Sequence, residues 1–243
     1  MKKTLLLISV VLAASLSHAA SILPSMENGF EKQNKRLGYY SQANSTSGLT
    51  KISNFENVLK NWASTAEANQ WYWDTGGWLT GGYNPAAGSA PSAINSNSVS
   101  IISNSDAGGT SFGLVLDKVG LQAAGIHTGL STGTTTLTLS YNSGWNNWCS
   151  LSLLNADGSL TLLKDLAGVG SKNMEETLNN SDLTDGAKLV VALGATNPWS
   201  GSAQSNIENI QLLGTQAVPE PATASLGLLG LATLLMRRRR AAC

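Results

Sequence analysis

Thr134-Thr135-Thr136-Leu137-Thr138-Leu139-Ser140-Tyr141 puts Leu137, Leu139 and Tyr141 on one side of an extended chain and hydroxyls on the other. Further on, the apolar stretches 151–154 and 160–163 flank Asn155-Ala156-Asp157-Gly158, in which Asp-Gly supplies the positive φ of a tight hairpin. A period of two, closed by such a turn, belongs to antiparallel strands with one buried face; a helix would repeat every 3.6 residues. The same texture continues on both sides. Val99 and Ile101 alternate with serines, and Phe112, Leu114 and Leu116 alternate with Ser111, Gly113 and Val115. Stretches 188–193 and 207–213 complete a set of seven or more short strands without intervening helices. The expectation is a mostly β protein, an antiparallel β-sandwich or jelly roll. No repeat of 20 to 50 residues is present, which excludes a solenoid or propeller.

One helix is expected ahead of the strands, near 49–64. Leu49, Ile52, Phe55, Val58, Leu59 and Trp62 recur at three- and four-residue steps, and Ser47 can cap the start. Its apolar stripe is expected to pack on the sheet. The 243 residues carry no net formal charge, but six of the fifteen basic residues sit at the two ends. Residues 20–216 hold 9 Lys and Arg against 14 Asp and Glu, a mildly acidic domain without the cationic stripe that nucleic acid requires. Cys149 and Cys243 are the two cysteines, and Cys243 lies at the extreme terminus. The core is therefore expected to hold without a disulfide, with Cys149 as a buried thiol.

The two ends read as targeting segments. Residues 1–19 form a signal peptide: Lys2 and Lys3, an apolar run over 5–16, then Ser17-His18-Ala19, with signal peptidase expected to cut between Ala19 and Ala20. At the other end Pro219-Glu220-Pro221 is followed by an uncharged apolar run, 222–236, and by Arg237, Arg238, Arg239 and Arg240. The two prolines hold an extended strip, the apolar run can insert as a transmembrane helix, and the arginines stay on the cytoplasmic side. Motif, apolar run and basic end, in that order over 217–243, resemble the PEP-CTERM sorting tail. That resemblance implies an exosortase that recognises the Pro-Glu-Pro stretch, removes the tail and releases the protein from an inner-membrane intermediate to the cell surface or the extracellular space. Residues 20–216 would be the exported ectodomain.

Two fragments of the ectodomain resemble the ends of galactose-binding-like jelly-roll modules. Asn28-Gly29-Phe30-Glu31 is similar to their opening strand, and Ile207-Glu208-Asn209-Ile210-Gln211-Leu212 to their closing strand. The resemblance implies a non-catalytic carbohydrate-binding role, with extracellular polysaccharide as partner. No cofactor is expected, although in that family a structural calcium can sit where the first and last strands meet. Glu31 and Glu208 would then be its candidate ligands; two isolated carboxylates are by themselves a weak metal signal.

For chemistry the sequence offers little. Gly109-Thr110-Ser111-Phe112-Gly113 matches the GxSxG pattern, which has meaning only on a strand-to-helix turn beside a histidine. The following residues read as strand and the one histidine outside the signal peptide is His127, so no enzyme is expected. Glu175-Glu176 and the pair Asp182 and Asp185 read as a solvated acidic loop, not as carboxylates facing each other across a cleft. Seven tryptophans are the unusual feature. Trp71, Trp73, Trp78, Trp145, Trp148 and Trp199 are the candidate glycan-binding residues, because an exposed indole stacks on the apolar face of a sugar. The alternative is that these rings fill the core and that the domain is a structural or adhesive protein with protein partners. Exposure of the rings discriminates between the two.

Overall fold

The structure, a computed structural model, describes residues 21–32, 40–42, 49–51, 54–77, 90–103, 108–144, 146–196 and 203–217. In chain order the first half contains β1 (Glu31–Lys32), β2 (Tyr40–Gln42), β3 (Leu49–Lys51), α1 (Phe55–Ala63), β4 (Trp71–Gly77), β5 (Ser92–Asn95), β6 (Ser98–Ser103) and β7 (Gly108–Leu116). The second half contains α2 (Lys118–Ala123), β8 (Thr134–Ser143), β9 (Asn146–Leu154), β10 (Leu160–Val169), β11 (Lys172–Asn179), β12 (Lys188–Thr196) and β13 (Ala203–Ala217). Two sheets face each other: six strands in the order β1-β4-β7-β12-β9-β10, and five in the order β11-β8-β13-β6-β5. The expected sandwich is what forms. Among the described strands one pair, β1 with β4, runs parallel.

Alternation builds the core between the sheets. Along β8, Leu137, Leu139 and Tyr141 turn inward while Thr138 and Ser140 stay half-buried on the open face. The Asp-Gly turn between β9 and β10 forms as expected: Gly158 takes φ 80° and its N–H donates to Asn155 O at 2.9 Å. Strand β12 does not alternate, because Leu189, Val190, Val191, Ala192 and Leu193 are all buried. It lies between β7 and β9, and both its faces are covered.

The second cover is α1. Phe55, Leu59, Trp62 and Ala63 pack with Tyr72, Val115, Trp148, Val190 and Ala192 on the outer face of the six-stranded sheet. The helix is shorter than the expected 49–64. Asn54 adopts the left-handed region (φ 64°, ψ 22°), which stops the helix there, and Leu49–Lys51 pairs as a strand with Tyr40–Gln42. Ser47 lies outside the described residues. Glu175 and Glu176, expected in an acidic loop, stand on edge strand β11, with Met174 and Leu178 buried and Glu175 exposed. Charged side chains on such an edge discourage further pairing.

Two glycines make room for the indoles at the α1 interface. A Cβ on Gly113 would lie 2.8 Å from Trp62 Cη2, and one on Gly194 would lie 2.4 Å from Trp148 Nε1. Phe55 meets Trp148 edge-on at 6.2 Å, and Trp62 meets Tyr72 at 6.4 Å. Burying the large α1 side chains stabilises the interface by about 1.5–3 kcal/mol each. Against this, Trp62 Nε1, Ser150 Oγ and Ser152 Oγ are buried there without a hydrogen-bond partner, at a cost of about 1–3 kcal/mol each. Gly194→Ala is expected to lose about 1–3 kcal/mol in urea unfolding, because the new methyl displaces the Trp148 ring. Gly144→Ala, whose Cβ meets nothing within 4 Å, is expected to stay within about 0.5 kcal/mol of the parent. Equal losses in the two variants would contradict this packing.

Candidate functional site

The tryptophans divide into three groups. Trp71 is 2% exposed between the sheets, where its Nε1 donates to Pro24 O at 3.0 Å. Trp148 is 0% exposed beneath α1. Neither ring presents a face to solvent in this structure, so the exposure expected of a stacking ring is absent at both. Burial of a large aromatic is worth more than its exposure, and in each case a backbone or a glycine provides the space. Trp73 projects to the same side of β4 as Trp71 and packs, half-buried, at the margin of the inter-sheet core. Trp78, Trp145 and Trp199 lie outside the described residues, as do Ala19, Ala20, the Pro-Glu-Pro stretch and the four arginines.

Ser111 sits in the middle of β7, paired with Asp74 on β4 and Gly194 on β12. It is 0% exposed, and its Oγ donates to Asp74 O at 3.4 Å. No strand-to-helix turn follows, and the His127 side chain is exposed on the segment after α2. The His127 backbone exchanges two 2.9 Å bonds with the Gln216 side chain. Glu31 and Glu208 are both exposed and stand on strands of different sheets. Among the described residues no three His, Cys, Asp or Glu side chains are grouped to hold a metal. Cys149 is buried, and that burial pushes its thiol up to about 12, so it stays protonated at neutral pH.

Among the described residues, one concave feature is a groove of about 770 Å³ along one edge of the sandwich. Its sides are the β9–β10 turn and the segment joining β11 to β12. Leu153, Leu163 and Leu178 line it with hydrocarbon, and Asn155, Thr161 and Asp182 are among its polar side chains. Several of these groups are held in place. Asn155 Nδ2 donates to Ser159 Oγ at 2.9 Å and to Thr161 Oγ1 at 3.0 Å. The Asp157 Oδ1 accepts from the Ser159 hydroxyl at 2.6 Å and its N–H at 2.8 Å, and these bonds keep the carboxyl below its usual range. Lys118 Nζ at 2.9 Å and Thr128 Oγ1 at 3.0 Å do the same for Asp185. The pair with Lys118 is exposed, so it orients the carboxylate more than it stabilises the fold.

Behind the groove Asn180 is fully buried and ties the turn after β11 to the ends of β8 and β13. Its Oδ1 accepts from Thr135 Oγ1 at 2.7 Å, and its Nδ2 donates to Thr132 O at 2.9 Å and Ala217 O at 3.2 Å. Sequence reading located Asp182 and Asp185 but missed Asn155, Thr161 and Asn180. The Asp-Gly hairpin was the available signal for the first two; Asn180 has none.

No protein-family model and no curated protein matches the chain. Among solved structures it is similar to the carbohydrate-binding module TmCBM61 in complex with β-1,4-galactotriose, at 12% identity over 60% of this chain and 88% of that one, with a TM-score of 0.33. It is similar to the N-terminal cellulose-binding domain of Cellulomonas fimi β-1,4-glucanase C, at 12% identity over 60% and 89%, TM-score 0.29. It is also similar to the enzymatically active domain of bacteriophage CBA120 tailspike protein 4, at 14% identity over 68% and 21%, TM-score 0.34. Likeness at this level names no ligand for the present chain.

The depressed carboxyls carry a pH signature. Asp117, which caps α2, is pushed up by burial, but bonds from Asn69 and from the Gly120 and Val119 N–H groups outweigh that and leave it below the usual carboxylate range. Asp157 and Asp185 are lowered too. A carboxyl lowered by folding contributes stability that is complete above its unfolded pKa and is lost as pH falls through the folded one. Unfolding midpoints are therefore expected to be flat from about pH 7 to 5 and to drop below about pH 4. A shallower acid limb is expected for Asp117→Asn; an unchanged limb would remove Asp117 from this account.

Proposed function

We propose that the chain is an exported surface protein whose sandwich is a non-catalytic carbohydrate-binding domain, with the edge groove as its ligand site. The observation that carries this reading is the lining of that groove. Carboxylates, hydroxyls and the Asn155 amide line it beside leucine hydrocarbon, the combination that a sugar ring needs for its hydroxyl edge and its C–H face. Asp157, Asp185 and Asn155 are held by neighbours before any ligand arrives, which reduces the ordering cost of binding. Non-catalytic binding fits the burial of Ser111 in mid-strand.

Export rests on the sequence of the two ends. Lys2, Lys3 and the apolar run over 5–16 support signal-peptide cleavage before Ala20. Pro219-Glu220-Pro221, the run 222–236 and the four arginines support exosortase sorting by the tail that resembles PEP-CTERM. Among the described residues no helix is long and apolar enough to cross a membrane; the two terminal segments lie outside them. The second reading, a structural or adhesive protein with protein partners, is favoured by the burial of Trp71 and Trp148, which removes two of the rings a stacking platform would use.

The full chain, purified in detergent, should be presented to an array of neutral, acidic and amino polysaccharides. Saturable binding to at least one is expected, weakened about tenfold or more by Thr161→Ala combined with Asp182→Ala, with circular dichroism unchanged. Binding indifferent to both substitutions would remove the groove. Silence on every glycan would leave the structural reading in its place.

A further inference from the structure

The face of the six-stranded sheet beneath α1 has the residues of a binding trough. Register aligns Tyr72, Gly113, Ala192, Ser150 and Asp165 across five strands. The next row aligns Asp74, Ser111, Gly194, Trp148 and Ala167. Small residues therefore form a floor in the middle, with Tyr72 on one side and Trp148 on the other. Into this floor the helix sets the Trp62 indole, close enough to Gly113 that no Cβ would fit between them.

Two features separate this interface from an ordinary core. Among the described residues, Ser150 Oγ and Ser152 Oγ, both on residues 0% exposed, have no hydrogen-bond partner on the outer face of the six-stranded sheet, which α1 and β3 share, nor has Trp62 Nε1. These are groups that a hydroxyl-bearing ligand would satisfy and that the present cover leaves unsatisfied. The helix is also weakly held by its own backbone. It has nine residues, begins at a left-handed Asn54 with no side-chain cap bond, and so depends on packing for its stability.

We infer that α1 is an autoinhibitory strap, with Trp62 occupying a second, latent glycan site whose floor is Gly113, Ala192 and Ser150 and whose walls are Tyr72 and Trp148. The ligand is a neutral polysaccharide: a sugar ring offers Trp148 an apolar face and offers the two serines hydroxyls. Displacing the strap exchanges one ring for another and gives the serines partners. This shares its ligand class with the groove reading but not its site.

The test uses the full chain in detergent and a panel of neutral polysaccharides. Trp62→Ala is expected to bind at least one of them ten-fold or more tightly than the parent, and to lose that gain when Trp148→Ala is added. The groove pair Thr161→Ala and Asp182→Ala should leave the gain intact. Should Trp62→Ala fail to fold, Glu56→Gly with Asn57→Gly loosens the helix from its exposed side without touching the trough, and a several-fold gain is expected. A folded strap variant that binds no neutral polysaccharide more tightly than the parent overturns the inference, as does a gain that survives Trp148→Ala. Binding by the parent that depends on the groove, with no gain in strap variants, leaves the groove reading standing alone. A gain through Trp148 in a chain whose groove is inert does the reverse.

Discussion

The seat of the Trp62 indole on the bare backbone of Gly113 determines how the rest of the molecule is used. A sandwich of two sheets normally leaves both outer faces to solvent. Here one of them is closed by a nine-residue helix whose large side chains find depth only because glycine stands beneath Trp62, and again beneath Trp148. From that contact follow the second apolar cluster, the burial of β12 on both faces, and the loss of Trp148 as a surface ring. The outer face of the five-stranded sheet stays open, with Thr138, Ser140, Glu175 and Gln211 on it. Among the described residues a groove lies at the edge, where β9 turns into β10 and β11 gives way to β12.

The fold was legible because period-two burial is a local property. Leu137, Leu139 and Tyr141 declare a face without reference to anything distant, and Asp157-Gly158 declares its turn by the φ that glycine permits. The aromatics were not legible in the same way. Trp71 and Trp73 alternate onto one face whether that face meets solvent or another sheet, so their spacing could not say which. Trp148 was decided by Gly194 on a strand some 46 residues away in sequence, a complementarity visible only through the register of β9 and β12. The helix start failed for a related reason. The three- and four-residue steps continue back to Leu49, but Asn54 takes a conformation that no apolar pattern encodes.

The groove was half legible. Acidic residues at 182 and 185 were visible, and so was the hairpin that forms the opposite side, but nothing in the sequence said that the two meet. What joins them is the geometry of edge strands β10 and β11, with Asn180 bolting the turn to Thr135 and Ala217. A strand carrying Glu175 and Glu176 reads as loop because charge suppresses the strand signal. Its edge position is what tolerates that charge.

The packing of α1 on the outer face is that of a layer laid on a finished sandwich, not of a part of its cooperative core. Native-state hydrogen exchange on the full chain measures this most directly, by comparing the α1 amides from Val58 to Ala63 with those of β12 from Leu189 to Leu193. The α1 amides are expected to exchange through openings at least about ten-fold more frequent than those that expose β12, with the strands still protected. Identical protection in the two segments, lost together only on global unfolding, would contradict it.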